Sequence, residues 1–316
     1  MRALTTLPGT AGSLRLEQLP EPPLEDGAVL VATRAIGLCG TDREISAGAY
    51  GSAPPGAERL ILGHESVGQV LEAPSGSGFA SGDWVVGIVR RPDPVPCRNC
   101  AAGEWDMCRN GRYTERGIRA RHGFGSDHYR VESEFLVKLQ PELGLLGVLL
   151  EPTSVVAKAW EQIARIGGRS QWHPKTVLVT GAGPIGLLAA MIGRQRGLDV
   201  HVFDRVSEGP KPALVRELGA TYHSGPLESA GECWDIVVEC TGAAEVFFGA
   251  IEAAAPDGIV CLTGVSSGQH LLKVNPAAVN RELVLENNVV FGTVNANRRH
   301  YERAAANLAA AERAWL

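Results

Sequence analysis

Cys39, His64 and Glu151 place a thiol, an imidazole and a carboxylate in three separate stretches of a 316-residue chain. Those are the ligand types of a catalytic zinc that keeps its fourth position open. Taken singly, a Cys is more often core and a His more often a surface or satisfied residue. A second signal strengthens the set: Gly181-Ala-Gly183-Pro184-Ile185-Gly186 follows a strand pattern and opens a helix pattern. There Gly181 permits a tight turn, Gly183 lets backbone approach a pyrophosphate, and Gly186 allows close helix–strand packing. Pro184 and Ile185 start the helix whose N-terminus would face the phosphates. A metal and a nicotinamide dinucleotide sharing one site suit the oxidation of an alcohol, with the metal polarising a hydroxyl and the coenzyme taking hydride.

Neighbouring residues extend both signals. Glu65 beside His64 adds a carboxylate where an alternate ligand or a supporting partner would sit. Glu151 directly precedes Pro152 and a helical pattern, so it could equally be a helix N-terminal charge. Asp204 closes the second strand of the dinucleotide pattern, where a carboxylate accepts ribose hydroxyls and disfavours a 2′-phosphate. That points to NAD, although Arg205 immediately after it could hold the phosphate of NADP. Thr241, just past the strand Ile236–Glu239, is read as a further coenzyme contact.

A second cysteine group, Cys97-x-x-Cys100-x7-Cys108, has the spacing of a zinc knuckle but supplies only three thiolates. Asp93, four residues before Cys97, is the nearest candidate for a fourth ligand of a structural zinc. Seven cysteines is an odd number, which argues against a complete disulfide framework. Cys233, Cys240 and Cys261 fall in or beside apolar runs and read as small buried residues.

The elements that must hold these groups change character along the chain. Short β-like runs broken by Gly and Pro fill the first 150 residues, for example Val29–Thr33, Ser66–Leu71 and Trp84–Val89. Helical periodicity begins near Pro152 and continues through Val155–Ile166. From Thr176 strands alternate with helices. The strands are Val177–Thr180, Val200–Phe203, Ile236–Glu239, Ile259–Leu262 and Val289–Phe291, with helices over Ile185–Arg196 and Pro212–Leu218. That alternation means βαβ units and a parallel sheet. The domains expected are 1–150, 151–292 and a return segment 293–316, and Tyr301–Leu316 reads as one Ala-rich helix still running where the chain stops.

Composition is that of a soluble globular protein, with a net charge of -5 and a mean hydropathy near zero. No basic footprint for nucleic acid or an anionic membrane is present. No run is read as approaching the roughly 20 apolar residues needed to cross a bilayer, and no signal peptide opens the chain. A cytoplasmic location is expected.

The motifs together resemble one family. Cys39-Gly-Thr-Asp42, Gly63-His64-Glu65, the cysteine lobe and the glycine turn are similar to those of the zinc-dependent medium-chain dehydrogenases/reductases. Val89–Pro92, Glu115–Ile118, Arg121–Phe124, Leu150–Trp160 and Thr293–Asn295 are most similar to the archaeal-type glucose dehydrogenases. The resemblance implies a GroES-like irregular β-barrel catalytic domain and a doubly wound Rossmann domain. It implies Cys39, His64 and Glu151 as ligands of a catalytic zinc, with Glu65 supporting or exchanging. Glu115 and Asn295 would contact sugar hydroxyls, Asn295 also the coenzyme, and Thr41 would hydrogen-bond near the reacting oxygen. Zinc, NAD or NADP, a sugar or polyol substrate, and a dimer or tetramer follow as expectations. The cysteine lobe departs from the family by having three cysteines rather than four, and relatives continue past the point matching Leu316.

Overall fold

The computed structural model describes residues 1–231, 233–266 and 271–316. It divides into two units: residues 1–154 with 295–309, and residues 155–294 with 310–316.

The first unit is built on antiparallel strands. Its largest sheet has the order His128–Val131, Val29–Gly37, Glu65–Glu72, Trp84–Gly87, Leu136–Lys138. Alternation in Val29-Leu-Val-Ala explains the inward face: Val29 and Val31 are fully buried. The register matters for chemistry. Gly37, at the end of one strand, pairs with Glu65, at the start of the next. Residues just past Gly37 and just before Glu65 therefore meet at one end of the sheet. A small sheet of Arg90–Arg91, Thr114–Arg116 and Ala120–Arg121 lies in the same unit.

The second unit is a six-stranded parallel sheet. Numbered along the chain, its strands are Thr176–Thr180, Asp199–Phe203, Thr221–His223, Trp234–Glu239, Ala254–Leu262 and Val289–Gly292. Their spatial order is 3-2-1-4-5-6, the doubly wound order in which ligands bind where the winding reverses, beyond the carboxyl ends of strands 1 and 4. Val177, Leu178, Val179, Val237 and Val260 are fully buried, as central strands covered on both faces must be. The helices Pro184–Gln195, Pro210–Glu217, Ala244–Glu252 and Pro276–Leu285 belong to this unit.

Three expectations need correction. The last helix is Arg298–Ala309, not Tyr301–Leu316. Past it the chain turns, and the Trp315 indole donates to the Leu214 carbonyl at 2.8 Å. One stretch, Pro141–Gly167, is long and apolar enough to cross a membrane by length and composition. It holds a 3-10 segment and the helix Leu150–Gly167, whose Val156, Trp160 and Ile163 are buried in the protein. Cys233 is exposed, with φ at 67°, rather than a core residue, and Cys240 is half-buried; Cys261 is buried.

Candidate metal and coenzyme site

Two features of local sequence bring Cys39 and His64 together. Cys39 is the N-cap of the short helix Gly40–Ser46, held in a capping box in which the Asp42 side chain accepts from the Cys39 amide at 3.0 Å. His64 follows Gly63, whose φ of +87° sets the turn into the strand. The result is a Cys39 Sγ to His64 Nε2 distance of 3.2 Å. Two tetrahedral zinc ligands of this kind lie roughly 3.6 Å apart from their bond lengths. The donor pair fits the ion.

Glu65 joins them. Ligand atoms of Cys39, His64 and Glu65 all lie within 4.8 Å of one another. Room for that carboxylate exists because residue 37 is Gly: a Cβ there would sit 2.1 Å from Glu65 Oε2. Glu151, expected in this set, lies outside the 4.8 Å group, and Glu65, expected as its alternate, lies within it. Glu151 is nevertheless buried, near enough for the charges of His64, Glu65, Asp42 and Glu115 to act on it. Burial, reinforced by those acids, pushes its pKa up to about 7. Burial also raises Glu65.

Asp42 went unassigned in the sequence reading. Its Oδ1 lies 3.5 Å from His64 Nδ1, on the far side of the ring from Cys39. That arrangement turns Nε2 towards the thiol, the orientation a carboxylate gives a metal-ligating imidazole. Burial works to lower the His64 pKa. Hydrogen bonds with Asp42 and Cys39 and the charge of Glu151 outweigh it and hold the value well above the usual one. Thr41 is half-buried in the first turn of the helix capped by Cys39, and Glu44 is exposed on the same helix. The signal for Asp42 was present as a capping-box spacing, three residues after the N-cap.

Glu115 and Asn295, 180 positions apart, do meet: Asn295 Nδ2 donates to Glu115 Oε1 at 2.8 Å. Asn295 holds a left-handed φ of 62°, which Asn tolerates better than most residues. Arg90, also unassigned beforehand, clamps the same oxygen through Nε at 3.0 Å and Nη2 at 2.9 Å, and stacks on the Tyr113 ring.

In the cysteine lobe, the three sulfurs of Cys97, Cys100 and Cys108 lie within 4.8 Å of one another. Asp93 is not part of that group. Its Oδ1 accepts from the Val95 amide at 2.8 Å and its Oδ2 faces Arg112 at 3.5 Å. Hydrogen bonds from the Arg109 and Cys100 amides lower the Cys97 thiol to about 6, whereas burial raises Cys100 to about 11. A thiolate-rich lobe of this kind suits a structural zinc.

The coenzyme turn carries the expected stereochemistry. Gly181 has a φ of +94°, and a Cβ on Gly186 would lie 1.7 Å from the Gly181 carbonyl, so only glycine fits. Nothing lies within 4 Å of a Cβ built on Gly183, which leaves the open backbone a pyrophosphate needs. Gly183 caps the helix begun by Pro184 and Ile185. Asp204 is already engaged: its carboxylate accepts from the Ala182 amide at 2.8 Å and from Lys211 at 2.7 Å, tying the turn to the second strand. Thr241 is engaged as well, donating its hydroxyl to Glu239 and accepting from the Ala243 amide. Arg205 is exposed beside Asp204.

With this geometry in place, comparison with known proteins is informative. Residues 144–316 match the family model for the glucose dehydrogenase C-terminus, and residues 25–141 that for the alcohol dehydrogenase GroES-like domain. The chain belongs to the zinc-dependent medium-chain dehydrogenase/reductase family, with the glucose 1-dehydrogenases. Its relatives include glucose 1-dehydrogenase of Methanocella arvoryzae, 42% identical over all of this chain and 90% of that protein. Another is glucose 1-dehydrogenase of Thermoproteus tenax, 41% identical over 98% and 88%. Among solved structures, Haloferax mediterranei glucose dehydrogenase in complex with NADP, Zn and gluconolactone superposes with a TM-score of 0.91 at 32% identity, covering 100% of this chain and 90% of that one. The family's GroES-like and doubly wound architecture is the fold described above.

Proposed function

We propose that this protein oxidises the C1 hydroxyl of glucose to gluconolactone and passes hydride to NAD(P). The observation that carries the reading is the convergence of Cys39, His64 and Glu65 on one small volume, with Asp42 behind the imidazole. When bound, zinc supplies Lewis acidity to the sugar hydroxyl, and the coenzyme supplies the hydride acceptor. Relatives bearing the glucose 1-dehydrogenase name, one solved with NADP, zinc and gluconolactone, support the choice of substrate.

Each residue then has a task. Cys39 and His64 hold the metal, with Glu65 as third ligand and Glu151 able to replace it as the ligands rearrange. Asp42 holds the imidazole by its Nδ1 edge. Thr41 moves the substrate proton from the sugar hydroxyl towards solvent, where Glu44 lies exposed. Glu115, with Oε1 already filled by Arg90 and Asn295, offers Oε2 to a sugar hydroxyl. A buried carboxylate of that kind penalises substrates that lack a hydroxyl to donate. Cys97, Cys100 and Cys108 grip a structural zinc, without Asp93.

For the coenzyme, Gly181–Gly186 take the pyrophosphate. Asp204 is neutralised by Lys211, so the repulsion it would exert on a 2′-phosphate is weakened. With Arg205 alongside, NADP is accepted together with NAD. We read the enzyme as soluble and cytoplasmic, assembling as a dimer or tetramer like its family. Initial rates with glucose, galactose and xylose, each against NAD and NADP, test the proposal. Glucose should give the highest kcat/KM and both coenzymes should support turnover; absence of coenzyme reduction with every aldose would remove it.

A further inference from the structure

One buried carboxylate beside the glycine turn has no part in the chemistry above. Glu239 ends the fourth strand of the parallel sheet and is only 2% exposed. Its partners are amides and hydroxyls rather than cations. Oε1 accepts from the Thr241 amide at 2.6 Å, the Thr241 hydroxyl, the Gly242 amide at 3.0 Å and the Thr180 hydroxyl at 3.5 Å. The Glu239 backbone carbonyl accepts from the amides of Thr263 and Gly264 at 2.8 and 3.1 Å. Burying a charge is costly unless donors surround it, so the side chain anchors the loop after strand 4, while the backbone carbonyl of the same residue holds the loop after strand 5. Those loops leave the carboxyl ends of strands 4 and 5, and the first of them lies at the winding reversal between strands 1 and 4, where a dinucleotide binds.

Contacts around the anchor are tight. A Cβ on Gly181 would lie 2.9 Å from Thr241 Cγ2, and one on Gly264 would lie 2.2 Å from the Gly242 amide nitrogen. The first glycine of the coenzyme turn is thus packed against the loop that Glu239 holds, and that loop against the next. Thr241 is the residue of the loop that packs against Gly181, so its position bears directly on the turn.

We propose that Glu239 is a positioning residue for the coenzyme, fixing the loop 241–243 against the glycine turn so that the crevice keeps the shape a dinucleotide needs. Glu239 acts through Thr241 and Gly242 and does not touch the ligand. The inference rests on reading Gly181–Gly186 as the coenzyme turn.

The test uses the full-length, zinc-loaded protein and three variants, Glu239→Ala, Glu239→Gln and Thr241→Val. NADP and NAD are titrated by tryptophan fluorescence, and steady-state kinetics are run alongside. Glu239→Ala should weaken coenzyme binding about tenfold or more, because several buried donors lose their acceptor. kcat at saturating coenzyme should stay within about twofold, as expected when binding rather than chemistry is lost. Gln keeps an oxygen for the amides and should recover most of the affinity. Thr241→Val should give a smaller loss in the same direction. Lowered melting temperature with unchanged coenzyme affinity in Glu239→Ala would show a purely structural role and overturn the proposal. So would a Gln variant no better than Ala. If Glu239→Ala does not fold, unchanged affinity in Thr241→Val overturns it. Failure of the wild type to bind either coenzyme would instead sink the reading of the turn, and the proposal with it.

Discussion

Cys97, Cys100 and Cys108 come from one short run of chain, around a four-residue helix and a 3-10 turn, whereas Cys39, His64 and Glu65 come from two strand ends joined by sheet register. The first group is all sulfur and shows no acid within its 4.8 Å circle among the described residues; the second mixes sulfur, nitrogen and oxygen. Their surroundings differ as much. Buried Asp42 and Glu151 and half-buried Glu65 crowd the second group with carboxylates, and Asp42 faces its imidazole. Asp93, the carboxylate expected to join the lobe, faces Arg112 instead. The lesson is that a local cluster of like ligands can tie a loop, while a distant cluster of unlike ligands can be tuned, because each ligand has its own supporting element.

That contrast can be broken by mutation. The largest effect belongs to Cys39→Ala. Turnover should fall by at least about a thousandfold, since the metal is asked for several kcal/mol of transition-state stabilisation. NADP titration should remain near wild type, because the glycine turn is untouched; undiminished turnover would end the assignment of this group. Asp42→Asn should cost about 10- to 100-fold in zinc affinity or activity, read by competition with a colorimetric chelator. A loss no larger than that of an exposed carboxylate such as Glu44→Gln would mean that the His64 orientation owes nothing to Asp42.

Changes in the lobe should act differently. Cys100→Ser should lower the melting temperature and speed proteolysis between residues 93 and 112, while kcat per folded molecule changes less than about threefold. A fall in kcat matching that of Cys39→Ala would erase the distinction between the two groups. The smallest effect concerns an ion-pair network in the same unit. Glu132 is shared by Arg91 and Arg121 at 2.8 and 2.9 Å. Burial would raise its carboxyl pKa, but hydrogen bonds and charge from Arg91 lower it overall. A folded pKa depressed below the unfolded one contributes stability above the ordinary carboxylate value, which is lost as pH falls through the folded value. Melting temperature should therefore drop on acidification below about pH 4.5, with a shallower slope in Glu132→Gln. Equal slopes would place the acid-sensitive group elsewhere.

Much of this was legible in the residues. Cys39 and His64 were marked by ligand type, the turn at Gly181 by spacing, and the parallel sheet by strands alternating with helices. Other parts were not. Glu65, read from its place beside His64 as an alternate ligand or support, joins Cys39 and His64 because Gly37 pairs with it across two strands, a long-range register that neither segment reveals alone. Asp204 stood where a ribose ligand would, yet Lys211 and the Ala182 amide share its Oδ2 and the Val206 amide takes its Oδ1. Arg90 looked like part of a motif and turned out to clamp Glu115 from 25 positions away. The final helix overran because an Ala-rich run favours helix locally, while the Trp315 indole bonds to the Leu214 carbonyl, 101 positions back in the chain.

Periodicity, glycine spacing and ligand chemistry are local properties, and they alone were enough to specify a strand-rich first unit, a second unit of βαβ units on a parallel sheet, a metal-type donor set and a dinucleotide turn. Which acid stands beside the thiol, which carboxylates are already occupied, and which side chains brace the ligands were decided by tertiary structure. The reason is that a carboxylate's role depends on its burial and on the donors within about 3 Å of it, and those donors arrive from strands and loops far away in the chain.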